Sequence, residues 1–304
     1  MKVCHIISKD PLKYTGGIST VVNNLSRYNR SDIIIMKGPL KIFIFPLLTL
    51  NKIRKYDIIH LHTTQSFLFV PIAKMLGKKI VYTLHGTWLS YFRGLPPKSF
   101  LSKKKANLAI KIQKYMMEKS DAVIAVSNFT KKIIVNEYKI PDNKVIVIHN
   151  GVDTKYFYSI KKKKTNTALW VGDNPKLKGL DNAIDYCKIH NLKLLVVGVE
   201  GENSDKIEFL GKIPYEHMPD IYRKADILLF FTKAEGHPLV PLEAMACGLD
   251  VIASKESNIE IVPPQKDGSY KISGKKALKI IKKYDWKNVA KKHTEVYKKV
   301  MKMK

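Results

Sequence analysis

The sequence predicts an α/β protein made of two doubly wound parallel sheets, one after the other. Short apolar runs rich in Val and Ile recur along the 304 residues, and stretches of helical periodicity separate several of them. A lysine run at 161–164 interrupts the pattern, which then starts again. Apolar runs alternating with helices are the mark of βαβ units and hence of a parallel sheet. A chain of this length accommodates two such domains, each with its own core.

In the first half the strand runs are "KVCHIIS" (2–8), "SDIIIMKG" (31–38), "YDIIHLHTT" (56–64), "KIVYTLHG" (79–86), "DAVIAVS" (121–127) and "KVIVIHNG" (144–151). Helical patterns cover 103–119 and 129–139, and in "VSNFT" (126–130) Ser127 or Asn128 caps the second of these. After the linker come "TALWVG" (167–172), "KLLVVG" (193–198), "KIEFLG" (206–211), "ADILLFF" (225–231) and "LDVIAS" (249–254). The tail spaces Trp286, Val289, Ala290, His293, Val296 and Tyr297 as one face of a terminal helix that can pack on either domain. The expected division is 1–160, 161–284 and a helix over 285–304. Ligands of doubly wound sheets bind beyond the carboxyl ends of the strands, so a cleft between the domains is the expected site.

Composition narrows the function. The hydrophobic fraction is 45% and the three cysteines, Cys4, Cys187 and Cys247, are scattered. This is the usage of a globular protein in a reducing compartment, with no disulfide framework. Cys4 and Cys247 read as core fillers. The chain passes from "MK" straight into a strand pattern, with no secretory signal, and "PLKIFIFPLLTL" (39–50) is far shorter than the roughly 20 apolar residues of a spanning helix. The net charge is +28, yet only five basic residues are arginine: Arg27, Arg30, Arg54, Arg93 and Arg223. Residues 1–160 hold 26 basic against 8 acidic residues, and residues 161–304 hold 28 against 18. An excess concentrated in the first half suggests an anionic partner there, a membrane surface or an acidic substrate, beside the plainer reading of a lysine-coated soluble face.

The densest chemistry lies in "ADILLFFTKAEGHPLV" (225–240), a strand, a loop and a helix that starts near Leu239 or Val240. Pro238 suits the position just before or at the first helical turn. The free amides of that turn and the helix dipole favour an anion such as phosphate. Glu235 stands at the strand's carboxyl end, and Glu243 lies about one turn into the helix. Two carboxylates around a phosphate-binding helix start suit a nucleotide-sugar, the acids accepting from sugar and ribose hydroxyls while amides hold the diphosphate. His237 either tunes donor choice or shapes the turn.

With these residues in view, "EGHPLVPLEAMACGLDVIAS" (235–254) resembles the E-x7-E signature of the retaining family-4 glycosyltransferases (glycosyl transferases group 1), which have the GT-B fold. Three more stretches resemble the family in its order: "YTGGIST" (14–20), "HNGVDTKYF" (149–157) and "WVGDNPKLKGLDNAI" (170–184). The resemblance spans nearly the whole chain. It implies two Rossmann-like doubly wound domains facing across a cleft. The implied activity is transfer of a sugar from a UDP- or GDP-sugar to a hydroxyl of a glycan or lipid-linked acceptor, with retention and no protein nucleophile. The catalytic residues it implies are His85, Glu235 and Lys178. The implied donor-binding set is Gly16, Gly17, Lys176, Lys178, Ile213, Glu235, Gly236, His237, Leu239, Val240 and Glu243. Asp173 stands where the family usually carries an arginine, so Lys176 is the candidate for the second positive charge.

The amino-terminal domain is the acceptor side in this family. The stretch 91–120 gathers Arg93, Lys103, Lys104 and Lys105, with Leu108, Ile112, Tyr115 and Met116 interleaved at helical spacing. Such a helix either lies on an anionic membrane or simply turns its apolar face to the core. His60 and His62 alternate on one strand face. They line the acceptor side or are satisfied structural histidines, and His62 is carried as the acceptor-side candidate. No Asp-x-Asp occurs and no His or Cys cluster has metal-ligand spacing, so lysine, backbone amides and the helix dipole are expected to neutralise the diphosphate without a cofactor. The expected location is the cytoplasm, peripheral on the inner membrane face. Two alternatives stand beside this reading. One is a nucleic-acid- or polyanion-binding α/β protein, which the arginine shortage and the lack of a nucleic-acid module oppose. The other is a GT-B-fold epimerase or phosphorylase.

Overall fold

The structure is a computed structural model that describes residues 1–8, 10, 17–36, 44–160 and 163–303. Each apolar run of the first half becomes a strand: β1 (Val3–Ile7), β2 (Asp32–Ile35), β3 (Ile58–Leu61), β4 (Lys79–Leu84), β5 (Ala122–Ala125) and β6 (Val145–Val147), the inner four buried almost throughout and the edge strands β2 and β6 only partly. They form one parallel sheet in the order β2-β1-β3-β4-β5-β6. The second half gives β7 (Thr167–Val171), β8 (Lys193–Val197), β9 (Ile207–Phe209), β10 (Ile227–Phe230), β11 (Asp250–Ala253) and β12 (Tyr270–Ile272). Their order is β12-β11-β10-β7-β8-β9, parallel except for β12, which runs antiparallel at the edge. Among the described residues β12 is the one strand the sequence pattern did not signal, being only Tyr-Lys-Ile before a glycine-led helix.

The chain divides into two compact units, residues 1–150 with 286–304, and residues 151–285. The first boundary falls ten residues before the expected one. Val152 and Phe157 are buried in the core of the second unit, so the segment before the lysine run already belongs there. The terminal helix Trp286–Met301 belongs to the first unit and packs on the helix Gly17–Asn29 and on β4. Its buried face is Trp286, Val289, Ala290, His293, Val296, Tyr297 and Val300. Three polar contacts fix it there. Tyr297 Oη lies 2.7 Å from His60 Nδ1, Thr294 Oγ1 donates to Asn29 Oδ1 at 3.1 Å, and Lys79 Nζ donates to the carbonyl of Met303 at 2.8 Å.

Local signals explain where helices begin. Ser99 and Ser102 cap the helix Phe100–Lys119 reciprocally, each hydroxyl accepting from the other's backbone N–H. Ser127, fully buried, accepts from Thr130 N and starts the helix Asn128–Asn136, which selects it over Asn128 as the cap. All three cysteines are free and buried. Among the described residues no helix is long and apolar enough to cross a membrane; of 39–50, residues 39–43 lie outside the described residues and the rest begins two short helices.

His60 is completely buried and reaches Tyr297 with one nitrogen and Thr83 Oγ1, also at 2.7 Å, with the other. Removing the phenol leaves a buried ring nitrogen without its partner, which costs about 1–3 kcal/mol. Tyr297→Phe is therefore expected to lower the unfolding free energy from urea titration by that amount, and the midpoint with it, while the far-ultraviolet dichroism of the native protein is unchanged. An unaltered midpoint would show that this bond does not hold the terminal helix.

Candidate functional site

In the second unit β7 and β10 are parallel neighbours, so the loops that follow them leave the same edge of the sheet. The loop after β7 turns into the short helix Pro175–Lys178, capped by Asn174, whose Oδ1 accepts from Leu177 N at 3.0 Å. Gly179 then takes a left-handed conformation with φ of 66°. A side chain here would collide with the carbonyl oxygen of Phe231, just past β10, so the close approach of the two loops requires glycine. Lys233 N donates to the carbonyl of Leu177 at 2.8 Å and joins the loops directly.

This junction brings Lys178 and Glu235 together as an ion pair between Nζ and Oε1, with both side chains 19% exposed. Trp170 Nε1 donates to the carbonyl of Lys178 at 3.0 Å, and Asn258 Nδ2 donates to the carbonyl of Glu235 at 2.7 Å. Both candidates are thus held by their backbones, with heads at a partly open position. Lys176 and Asp173 are exposed, and Lys178 is the lysine that reaches the acid. Pro238 is the N-cap of the helix Leu239–Ala246, whose first-turn amides follow Glu235 by four residues. Gly236 and His237 are buried in the intervening turn, and Leu239, Val240 and Ile213 pack part-buried against the unit's core.

Glu243 departs from the expectation. The expected partner is a ribose hydroxyl, but the structure buries Glu243 at 5% exposure and gives it protein donors. Oε1 accepts from Tyr215 Oη at 3.0 Å and Oε2 accepts from Tyr222 Oη at 2.8 Å. Burial raises its carboxyl to about 7, against the lowering effect of the two phenols. A carboxylate in an apolar helix needs donors, and here they are two tyrosines. Sequence reasoning missed Tyr215, Tyr222 and Asn258. The demand for buried donors was readable from "LVPLEAMA", but the sequence holds 15 tyrosines and nothing in it selects these two.

In the first unit Gly17 opens the helix Gly17–Asn29, and a side chain added there would meet open space. Gly16 lies outside the described residues. His85 follows β4 and is part-buried. Its loop is fixed by the buried Gln113 of the helix Phe100–Lys119, whose Oε1 accepts from Trp88 N at 3.0 Å and whose Nε2 donates to the carbonyl of Gly86 at 3.3 Å. Burial, reinforced by the neighbouring His293, lowers His85 to about 3.

His62 does not line a surface. It is 3% exposed, with Nε2 at 2.8 Å from His5 Nδ1 and Nδ1 at 3.1 Å from His85 Nε2. The register sets His5 of β1 beside His60 of β3, and strand alternation returns His62 to the same face. The nitrogens of His5, His60 and His62 come within 4.8 Å of one another, a grouping that spacing along the chain could not reveal because it joins two strands. Each of these six nitrogens already faces a hydrogen-bond partner.

Of the basic residues expected on the acceptor side, Arg93 is held in a bidentate pair with Glu137, at 3.0 and 2.5 Å. Lys103, Lys104 and Lys105 are exposed, and Lys104 lies 4.6 Å from the centre of the Phe100 ring. The apolar residues of this helix divide: Met116 is fully buried, Ile112 and Tyr115 are part-buried, and Leu108 is 58% exposed.

Comparison with known proteins bears on the family and the fold. The Glycosyltransferase Family 4 profile matches residues 21–156, and the Glycosyl transferases group 1 profile matches residues 152–298. A 41.2 kDa protein of the cps region of Klebsiella pneumoniae is 26% identical, over 85% of this chain and 82% of its own length. The UDP-Gal:alpha-D-GlcNAc-diphosphoundecaprenol alpha-1,3-galactosyltransferase of Escherichia coli is 25% identical over 68% of this chain and 60% of its own. Among solved structures, sucrose-phosphate synthase from Thermosynechococcus elongatus superposes with a TM-score of 0.77 at 18% identity, covering 99% of both chains. HepE of Anabaena, solved in complex with UDP and glucose, gives 0.75 at 14% identity, covering 98% of this chain and all of its own.

The elevated carboxyl of Glu243 has a measurable consequence. A group protonated more readily in the folded state stabilises fully below its unfolded value of 4.5, and that contribution is lost as pH rises through about 7. The loss amounts to at most about 3 kcal/mol. In urea titrations, Glu243→Gln is expected to gain on the wild type between pH 5 and pH 8. A difference between the two proteins that is the same at both pH values would contradict the burial of an ionisable group.

Proposed function

The chain belongs to glycosyltransferase family 4, the retaining, nucleotide-sugar-dependent enzymes of the GT-B fold, and from that premise we propose that it transfers a hexose from a UDP-sugar to a hydroxyl of a lipid-linked glycan. The carrying observation is the Lys178–Glu235 pair beside the first turn of the helix Leu239–Ala246. It joins a cation for a diphosphate, an acceptor for sugar hydroxyls and free amides in one place. The bound nucleotide of the Anabaena structure and the donor in the name of the E. coli relative favour UDP over GDP.

In this reading donor binding exchanges partners. Lys178 leaves Glu235 for the diphosphate, and Glu235 accepts from the sugar hydroxyls. The bond between the anomeric carbon and the diphosphate oxygen breaks while the acceptor oxygen bonds that carbon on the same face. The acceptor's proton passes to the departing diphosphate, which leaves as the nucleoside diphosphate. Lys178 and the helix amides stabilise the developing negative charge, with no metal ion called on. His85 contacts the transferred sugar, the role the resemblance implies. Glu243 acts one step back, tying the donor helix to Tyr215 and Tyr222.

For the acceptor we propose an anionic membrane face. Phe100, Leu101 and Leu108 are 73%, 62% and 58% exposed on the helix Phe100–Lys119, among Lys103, Lys104 and Lys105. Phe100, Lys104, Leu108, Lys111 and Tyr115 follow helical spacing along one stripe. Lys111, Ile112 and Tyr115 continue into an apolar groove of about 290 Å³ with Phe67, Leu68 and Pro71. Exposed apolar side chains interleaved with lysines are the pattern of an interfacial helix.

Two measurements test these readings. In a transfer assay started from a UDP-hexose found by thermal shift, Glu235→Ala and Lys178→Ala are each expected to lower kcat/KM by at least about 100-fold, with activity retained in EDTA. Full transfer by Glu235→Ala would refute the donor assignment. In vesicle sedimentation, the protein is expected to bind phosphatidylglycerol-rich vesicles at low salt, and Phe100→Ser with Leu101→Ser to bind several-fold less. Equal binding by that variant would place the contact elsewhere.

A further inference from the structure

Three histidines of the first unit form one hydrogen-bonded series that ends on His85. Ser31 Oγ, on a part-exposed residue, lies 2.9 Å from His5 Nε2. His5 Nδ1 lies 2.8 Å from His62 Nε2, and His62 Nδ1 lies 3.1 Å from His85 Nε2. His85 Nδ1 is the nitrogen that remains outside the series. Burial lowers His5 and His85 to about 3, and His62 well below the ordinary imidazole value, so all three rings are neutral near pH 7.

A neutral imidazole carries one N–H and one bare nitrogen. Bonds in series then permit only two arrangements. If His5 donates through Nδ1, His62 must accept at Nε2 and donate through Nδ1, and His85 must accept at Nε2 and carry its proton on Nδ1. If His85 donates through Nε2, every ring turns over and Ser31 Oγ accepts from His5 Nε2. In both cases the three rings share one tautomer. A mixed set places two protons, or none, between a pair of buried nitrogens and forfeits a hydrogen bond. The hydroxyl of Ser31 closes the series at its far end, and the direction of its one bond to His5 Nε2 goes with one of the two arrangements.

We propose that Ser31, His5 and His62 are positioning residues that lock the tautomer of His85, and so fix whether its Nδ1 donates or accepts a hydrogen bond at the transferred sugar. The sugar contact rests on the role proposed above for His85; the coupling of the rings does not. The neighbouring His60 stands outside the series, because both its nitrogens face hydroxyls, those of Tyr297 and Thr83. A transition metal on His5, His60 and His62 is the competing use of the cluster. Each ring would lend it one nitrogen, and every one of these nitrogens already faces a hydrogen-bond partner that the metal would displace.

The test is long-range nitrogen–proton correlation spectroscopy on the full chain labelled at histidine, which reads each ring's tautomer directly. The expected result is one shared tautomer for His5, His62 and His85. In Ser31→Ala, at the part-exposed end, the His85 signals are expected to become a mixture of tautomers. Its kcat is expected to fall about tenfold, or about 1.4 kcal/mol, with donor KM changed less than about twofold. Ser31→Thr should restore both. Unlike tautomers along the wild-type series, or a Ser31→Ala spectrum with His85 unchanged, would overturn the proposal. So would stoichiometric Zn²⁺ binding, added as the metal alone, that shifts the His5, His60 and His62 nitrogens together. Transfer that survives His85→Ala would overturn the sugar-contact role and the kinetic half of the proposal, while the spectrum of the resting protein decides the coupling on its own.

Discussion

The second unit depends on the contact of Gly179 with the backbone of Phe231. Two loops leave neighbouring strands, and their backbones come so close that a Cβ at 179 has no room. The contact sets where the short helix Pro175–Lys178 ends, and so where the Lys178 side chain emerges. It also fixes the start of the segment that carries Glu235, through the bond from Lys233 N to the carbonyl of Leu177. Opposite charges on two surface loops are ordinarily worth little. Here the backbone has already met the cost of bringing them together, and the side chains complete a geometry that packing dictates.

Much of this was legible in the sequence. All eleven strand runs became strands, because buried parallel strands advertise themselves as uninterrupted Val and Ile. The helix after Glu235 was equally plain, since Pro238 before an apolar run marks a helix start without tertiary information. Lys178 could be separated from Lys176 only by the resemblance, and the structure separates them by exposure. The pairing of Lys178 with Glu235 was not legible, as it joins positions 57 residues apart.

The misses share a cause. β12, the partners of Glu243 and the histidine cluster all depend on which residues tertiary contact gathers. His5, His60, His62, His85 and His293 arrive from three strand segments and the terminal helix, and no local pattern links them. The boundary at 160 failed for a related reason. A lysine run looks like a linker, but Val152 and Phe157 had already committed the preceding segment to the second core.

The excess of positive charge does not reach into either set of chemical groups. Lys103, Lys104 and Lys105 keep their charges in water. Inside, Lys178 is matched by Glu235, the buried histidines are neutral, and the carboxyl of Glu243 sits near the point where it gives up its charge. Burying uncompensated charge is the most expensive choice open to a fold, and both units avoid it by pairing or by neutrality. On the proposed reading this bears on the donor: a diphosphate takes Lys178 from Glu235, and the freed carboxylate accepts from the sugar hydroxyls of the same ligand. Under that proposal the resting ion pair favours a ligand that carries both a phosphate and a polyol.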